Sequence, residues 1–322
     1  MVGAGAWGTA LALVAAQNGH QVTLWARESE VVDSINAAHR NALFLPQVPL
    51  PENITATADL GFVRAADAVL LAVPAQHLRA SLAELAKHIN PGTPIVLCAK
   101  GIEKHSGKLV TEILREAAPQ AAPAILSGPS FAIDVARGLP TAVTIAAEGG
   151  LAEGLQAVLG SQTFRPYASD DLVGVALGGA AKNVYAIACG VVDGLKLGES
   201  ARAALLARSF AELARLGEKL GARRETLMGL SGLGDLVLTA TSPTSRNFRF
   251  GRELGSGTPY AQLMKPGHPL AEGVETAPAL VARGKEAGIE LPVAETVAAM
   301  LAGVLAPGAA AMRLMSRPLT SE

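Results

Sequence analysis

Gly3, Gly5 and Gly8 restrict this chain more than any other feature. They form G-x-G-x-x-G between a strand stump, Met1–Val2, and an apolar helical run, Ala6–Gln17, which Asn18-Gly19 ends. An extended run, Gln21–Trp25, follows at the spacing of a β-α-β unit. In that context each glycine has a physical task. Gly3 permits the tight turn, Gly5 lets the backbone come up to a pyrophosphate, and Gly8 lets helix and strand pack closely. The helix start adds free N–H groups and a partial positive charge, both suited to phosphate. The pattern predicts a dinucleotide-binding, Rossmann-type domain. A first strand should carry about four to six residues before Gly3. The chain has two, so either the start is truncated or misassigned or the strand is very short, with some loss of stability to follow.

The alternation continues downstream. Extended runs at Ala68–Val73, Ile95–Ala99, Ala124–Leu126 and Thr141–Ala146 flank helical patterns at Ala80–His88 and Leu109–Ala117, which predicts a parallel α/β sheet. From Asp170 the character changes. Helical patterns dominate at Asp170–Gly194, Ala201–Leu220, Arg224–Met228, Pro269–Ala287 and Val293–Leu301. The expected fold class is therefore α/β, a dinucleotide-binding domain over residues 1–169 followed by a second, all-α domain over 170–322.

At 322 residues, with 50% hydrophobic and 17% charged residues and a formal net charge of −1, the chain is long enough for two packed domains and has no basic excess for nucleic acid. Cys98 and Cys189 lie in apolar runs and read as core residues of a reducing compartment; no CxxC or HxxxH spacing points to a metal. The N-terminus lacks the charged start and apolar run of a signal peptide, so a cytoplasmic location is expected. The stretch Val173–Val192 has the length of a membrane span, but the Lys182-Asn183 pair and its glycines argue for a buried helix. An all-α second domain could also supply a homodimer face.

Lys182 is the strongest candidate for chemistry. A lysine on a buried helix is unfavourable unless paired or deprotonated, and desolvation moves its pKa toward a useful range. The alternative is a lysine snorkelling to solvent. Asp235, after Ser231-Gly232-Leu233-Gly234 and before an apolar run, reads as a loop residue that either pairs with Lys182 or caps a helix. Lys100 follows a β-run and sits where open α/β sheets bind ligands, or is a solvated loop lysine. Thr244-Ser245-Arg246-Asn247 offers hydroxyls, an amide and a guanidinium at a helix start, suited to a phosphate; the alternative is a basic loop. Ser127-Gly128-Pro129-Ser130 is a turn that could wall a site. Asn183 points away from Lys182 and braces the helix or the site's edge. The second strand ends at Arg27, whose guanidinium suits a 2′-phosphate, so NADP is favoured over NAD; Glu28 follows as a first-turn acid. No histidine has a neighbouring acid spaced for His-based catalysis.

Taken together, GAGAWGTALA (3–12), NALFLP (41–46), AVPA (72–75), AKGIE (99–103), LSGPSFA (126–132), LGGAAKN (177–183), SGLGDL (231–236), TSRNFRFG (244–251) and AEGVETA (271–277) resemble the bacterial NAD(P)-dependent glycerol-3-phosphate dehydrogenases over almost the whole chain. The resemblance implies reduction of dihydroxyacetone phosphate to sn-glycerol 3-phosphate for glycerophospholipid synthesis. It implies Lys182 as the catalytic lysine with Asp235 beside it, and Lys100, Gly128, Ser130, Ser245, Arg246 and Asn247 around the substrate. It implies Gly3, Gly5, Ala6, Trp7, Gly8, Arg27, Lys100, Ala132, Arg246, Leu270 and Glu272 against the cofactor.

Overall fold

The computed structural model describes residues 1–265, 267–268 and 271–316. They divide into two compact units: residues 1–99 with 110–176, and 100–109 with 177 onward.

The first unit is α/β, as the fold class predicts, but it takes in residues 170–176 and leaves out 100–109, unlike the expected range 1–169. Its strands are β1 (Val22–Trp25), β2 (Arg40–Asn41), β3 (Leu45–Pro49), β4 (Ile54–Thr57), β5 (Val69–Leu71), β6 (Pro94–Leu97), β7 (Ala122–Ser127), β8 (Thr141–Ala147) and β9 (Phe164–Ser169). The first strand is represented by a single residue. Val2 bridges Trp25 and Leu71, both in parallel, and so joins the β1–β4 pair to the β5–β9 sheet. The order β4-β1-Val2-β5-β6-β7 is that of a doubly wound nucleotide-binding sheet. One expectation needs correction: the sheet is not wholly parallel, because β7 and β8 pair antiparallel. A side hairpin, β2 with β3, carries Asn41.

Helices α1 (Ala6–Gln17), α2 (Ser29–Ala38), α3 (Leu78–Leu85), α4 (Val110–Ala117), α5 (Ala132–Ala136) and α6 (Leu151–Leu159) complete the unit. The α1 bounds are those read from the sequence. Most of its residues are buried, because it packs on the sheet and against α5. Several elements escaped sequence reading, two of them for identifiable reasons. Strand β9 contains Pro166, which removes a ladder donor and is tolerated here because β9 is an edge strand. Helix α2 buries only Val31 and Ile35, too thin an apolar stripe to stand out.

The second unit is helical and, among the described residues, contains no strand; Ile102 and Leu109 form one isolated bridge. Its elements are α7 (Leu172–Gly194, entering from the first unit), α8 (Glu199–Lys219), α9 (Arg224–Met228), a wide π turn (Leu230–Gly234), α10 (Asp235–Thr241), α11 (Arg246–Gly255), α12 (Tyr260–Leu263), α13 (Glu272–Glu286), α14 (Pro292–Leu301) and α15 (Pro307–Met315). The helical pattern expected from Pro269 begins outside the described residues. Helix α7 is long and apolar enough to cross a membrane, yet its most apolar window is wholly buried, as befits a core helix.

Glycines set the spacing of α7 and α11. A Cβ on Gly190 would lie 2.1 Å from the Phe248 carbonyl oxygen, and one on Gly194 2.2 Å from that of Arg252. Reciprocally, a Cβ on Gly251 would lie 2.0 Å from the Ile187 oxygen, and one on Gly255 2.5 Å from that of Val191. Two glycine pairs four residues apart thus let two helices run parallel at backbone contact. One or two turns back from these pairs, Asn183 on α7 meets Asn247 at the start of α11.

Candidate functional site

In the first unit the phosphate loop has the geometry its glycines imply. Gly3 sits at φ +107°, a conformation side chains rarely adopt, and a Cβ there would lie 2.6 Å from the Ala72 oxygen. A Cβ on Gly8 would lie 1.9 Å from the Gly3 oxygen and 3.2 Å from the Ala72 Cβ. Gly5 differs: no atom lies within 4 Å of the Cβ it lacks. It is the N-cap of α1, which has neither a capping side chain nor an acid in its first turn. The first turn of any α-helix leaves its N–H groups without intrahelical acceptors. Open space, unclaimed donors and no competing negative charge fit a pyrophosphate. Ala6 and Trp7 form the first turn. Arg27 follows β1, is largely exposed and holds Glu28 at 2.8 Å.

The turn after β7 carries the remaining site candidates of this unit. Gly128 has φ +154°, and a Cβ there would lie 2.8 Å from the Val143 Cα, so glycine is required where β7 leaves β8. The Ser130 hydroxyl donates to the Gly128 carbonyl at 3.0 Å, and Ala132 opens α5.

The second unit contains a buried polar cluster in an apolar surround. Lys182 is 7% exposed and Asp235 0%. Lys182 Nζ donates to Asp235 Oδ1 and, at 3.0 Å, to Thr239 Oγ1. Lys100 Nζ donates to the other carboxylate oxygen, Oδ2, at 2.7 Å. The Thr239 hydroxyl donates to Asp235 Oδ1 at 3.2 Å. One carboxylate therefore serves two ammonium groups. Asp235 is not the loop residue expected from sequence: it is the first residue of α10, delivered by the π turn, a feature frequent at functional sites. Nor does it cap that helix.

Burial pulls the Lys182 ammonium down to about 7. The Asp235 charge opposes that shift, and Lys100 reinforces it. Glu272, the first residue of α13, has its carboxyl pushed up by burial, against the charges of Arg246, Lys182 and Lys100.

Two asparagines brace the cluster. Asn183 donates to the Lys100 carbonyl at 3.0 Å and accepts from Asn247 at 2.9 Å; the Asn247 side-chain oxygen accepts the Gly273 N–H at 2.9 Å. Asn183 is thus a brace, as its offset from Lys182 implies. Ser245 caps α11, its hydroxyl oxygen accepting the Phe248 N–H at 3.2 Å, with Arg246 first in the helix. The structure brings Lys100, Lys182, Asp235, Ser245, Arg246, Asn247 and Glu272 into one unit. Leu270, also expected at the cofactor, lies outside the described residues. Sequence reasoning does not single out Thr239; its signal is its i+4 position after Asp235 on α10. Among the described residues, no group of three or more His, Cys, Asp or Glu side chains is placed to hold a metal.

Residues 1–150 match the family described as NAD-dependent glycerol-3-phosphate dehydrogenase N-terminus, and residues 171–312 the corresponding C-terminus. The chain belongs to the NAD-dependent glycerol-3-phosphate dehydrogenase family. It is 57% identical to the glycerol-3-phosphate dehydrogenase [NAD(P)+] of Parvibaculum lavamentivorans, over 100% of this chain and 97% of that one. It is 52% identical to the enzyme of that name from Caulobacter vibrioides, over 100% and 98%. Among solved structures, glycerol-3-phosphate dehydrogenase from Coxiella burnetii superposes with a TM-score of 0.93 at 39% identity, covering 98% of each chain. Membership makes the protein an oxidoreductase with a nicotinamide dinucleotide cofactor, consistent with the loop at Gly3–Gly8.

Proposed function

We propose that this enzyme catalyses the reversible reduction of dihydroxyacetone phosphate to sn-glycerol 3-phosphate, with Lys182 giving its proton to the carbonyl oxygen. The observation that carries the reading is the hydrogen-bond inventory of that ammonium. Lys182 Nζ has three hydrogens; Asp235 takes one and Thr239 a second. The third is left for a substrate oxygen. A proton donor near pH 7 is best served by a group titrating near 7, and burial brings Lys182 there.

When bound, the nicotinamide cofactor supplies the hydride. The chain's own residues do the rest. The Lys182 ammonium hydrogen-bonds the carbonyl oxygen, stabilises the charge that grows on it, and hands over the proton. Asp235, hydrogen-bonded by both lysines, fixes the direction of Lys182, and Lys100 holds the other carboxylate oxygen in place. Thr239 locks the Lys182 rotor. The start of α11 suits the phosphate: Arg246 offers a fork of donors, and Asn247 has one amide hydrogen left after serving Asn183. Gly128 and Ser130 border the substrate in this reading, and Ala132, Arg27 and Glu272 the cofactor; Arg27 supports a preference for NADP, with NAD accepted. A cytoplasmic location and a homodimer belong to the same proposal. The exposed apolar side chains of Val304, Met312 and Met315 support a partner face on the helical unit.

The test is NADPH and NADH oxidation on adding dihydroxyacetone phosphate, for wild type and Lys182→Ala. A variant that binds cofactor but turns over at least about a thousandfold more slowly supports the reading. Cofactor binding without turnover in the wild type would sink the substrate assignment, and an active variant would remove Lys182 from the chemistry. Light scattering tests the dimer.

A further inference from the structure

Asn41 is fully buried in the first unit, beside a large apolar core. Each of its polar atoms is engaged. Nδ2 donates to the Ala4 carbonyl at 2.8 Å and to Thr9 Oγ1 at 2.8 Å, and Oδ1 accepts the Phe44 N–H at 3.0 Å. Thr9, also fully buried, adds its hydroxyl to the same Ala4 carbonyl at 3.3 Å. Two side chains from different elements, the β2–β3 hairpin and α1, thus converge on one peptide of the phosphate loop.

That peptide lies between glycines. Gly3 and Gly5 flank Ala4, and glycine's wide φ/ψ range makes rotation of the Ala4–Gly5 peptide easy. The peptide is trans, so its C=O and N–H point in opposite directions. Holding the Ala4 carbonyl down into the core aims the Gly5 N–H away from it, at the α1 start whose surroundings are open. A rotated peptide would present a carbonyl oxygen to an anion instead. The glycines that make room for a pyrophosphate therefore also leave the loop free to turn away from it.

We propose that Asn41, seconded by Thr9, is a positioning residue that clamps the Ala4–Gly5 peptide in its anion-accepting orientation, preorganising the loop for the pyrophosphate of either dinucleotide. The clamp contacts no ligand; it acts through the backbone, so its removal shows in cofactor affinity first.

The experiment measures dissociation constants for NADH and NADPH by calorimetry, with unliganded thermal midpoints and the KM and kcat of the cofactor reaction, for wild type, Asn41→Ala, Asn41→Asp and Thr9→Ser. Asn41→Ala is expected to weaken both dinucleotides about tenfold, by the same factor. Asn41→Asp, which sets a carboxylate against the Ala4 oxygen and adds negative charge behind the phosphate site, is expected to weaken both about a hundredfold. KM should rise with the dissociation constants, and by a much larger factor than kcat falls. Thr9→Ser keeps the hydroxyl and should bind within about twofold of wild type. Dissociation constants unchanged in the folded variants, with only the thermal midpoint lowered, would overturn the proposal. So would a loss confined to NADPH, which would place the effect at the 2′-phosphate. Asn41→Ser, with a shorter donor and an expected loss of about threefold, is read in place of any variant that does not fold.

Discussion

Replacing Asp235 by Asn separates the carboxylate's role in setting the Lys182 proton affinity from mere presence at the site. In the wild type, burial pulls Lys182 from 10.5 to about 7, and Asp235 is the largest influence opposing that pull. Two unit charges about 4 Å apart attract by about 4 kcal/mol at an effective dielectric constant of about 20. One pH unit of midpoint corresponds to about 1.4 kcal/mol. An amide removes that attraction while the desolvation and the Lys100 charge remain, so the Lys182 midpoint should fall by a further two to three pH units or about that. At neutral pH the protonated fraction then drops from about half to about 1% or less, and kcat for ketone reduction falls about a hundredfold. The assay is kcat against pH from acid to mild alkali at saturating dihydroxyacetone phosphate and cofactor. Wild-type reduction should decline as pH rises through about 7, where Lys182 loses its proton, while alcohol oxidation rises over the same window because neutral Lys182 is then the base. In Asp235→Asn the decline should move to lower pH. Stability supplies an independent sign. A lysine with a depressed folded midpoint binds fewer protons folded than unfolded, so stability rises with pH between that midpoint and 10.5. The variant should accordingly recover stability toward wild type as pH is raised. A variant with less than about threefold loss in kcat and an unmoved inflection would refute the electrostatic coupling.

The two halves of the glycine motif should respond differently to alanine: Gly5→Ala should leave the urea midpoint nearly unchanged but weaken cofactor binding, because its Cβ enters open space, whereas Gly8→Ala drives a Cβ to 1.9 Å from the Gly3 oxygen and should destabilise by at least about 3 kcal/mol. On α8, burial, reinforced by the Glu295 charge, raises the Glu212 carboxyl to about 7 although it accepts the Val293 and Ala294 N–H groups at the start of α14 and has Arg215 nearby. Between 4.5 and about 7 the folded chain therefore holds a proton the unfolded one has lost, stability falls as pH rises through that window by about 3 kcal/mol, and Glu212→Gln should flatten the slope in urea unfolding at pH 5 and 7.5. Arg27→Ala should weaken NADPH by about tenfold and NADH by much less in binding titrations, since only NADPH presents a 2′-phosphate; equal losses would remove Arg27 from cofactor discrimination.

What was legible in the sequence was what neighbouring residues decide together. Helix α1 was read to its residue because its apolar run, its glycine start and its Asn18-Gly19 stop are local. Lys182 stood out because, Asn183 apart, its neighbours along α7 are apolar. The hydrogen-bond partners of Lys182 were not legible in the same way. Asp235 and Thr239 lie 53 and 57 residues away along the chain, and only the fold reveals that both reach one nitrogen. Asn41 reaches Ala4 across 37 residues from a hairpin whose strand signal is two residues long. The glycines of GVVDG and GRELG each show a four-residue spacing, but spacing within a helix does not say which other helix it faces.

Residues of one type in one motif can still differ in purpose, and the distinction is spatial. Gly3 and Gly8 are glycine because protein atoms occupy the place of a side chain, with the Ala72 oxygen at 2.6 Å from one absent Cβ and the Gly3 oxygen at 1.9 Å from the other. Gly5 is glycine although nothing in the protein fills the place of its side chain. A glycine against which nothing packs, at an uncapped helix start, is explained by a ligand and not by the fold. The same reasoning separates the buried polar residues. Asn183 and Asn247 are largely consumed by backbone and by each other, so they serve the architecture of the helical unit first. Lys182 retains one hydrogen after its protein partners are served. A group that is buried, oriented and left with one unfilled bond is what the proposed proton transfer requires, and the fold alone gives no use for that third hydrogen.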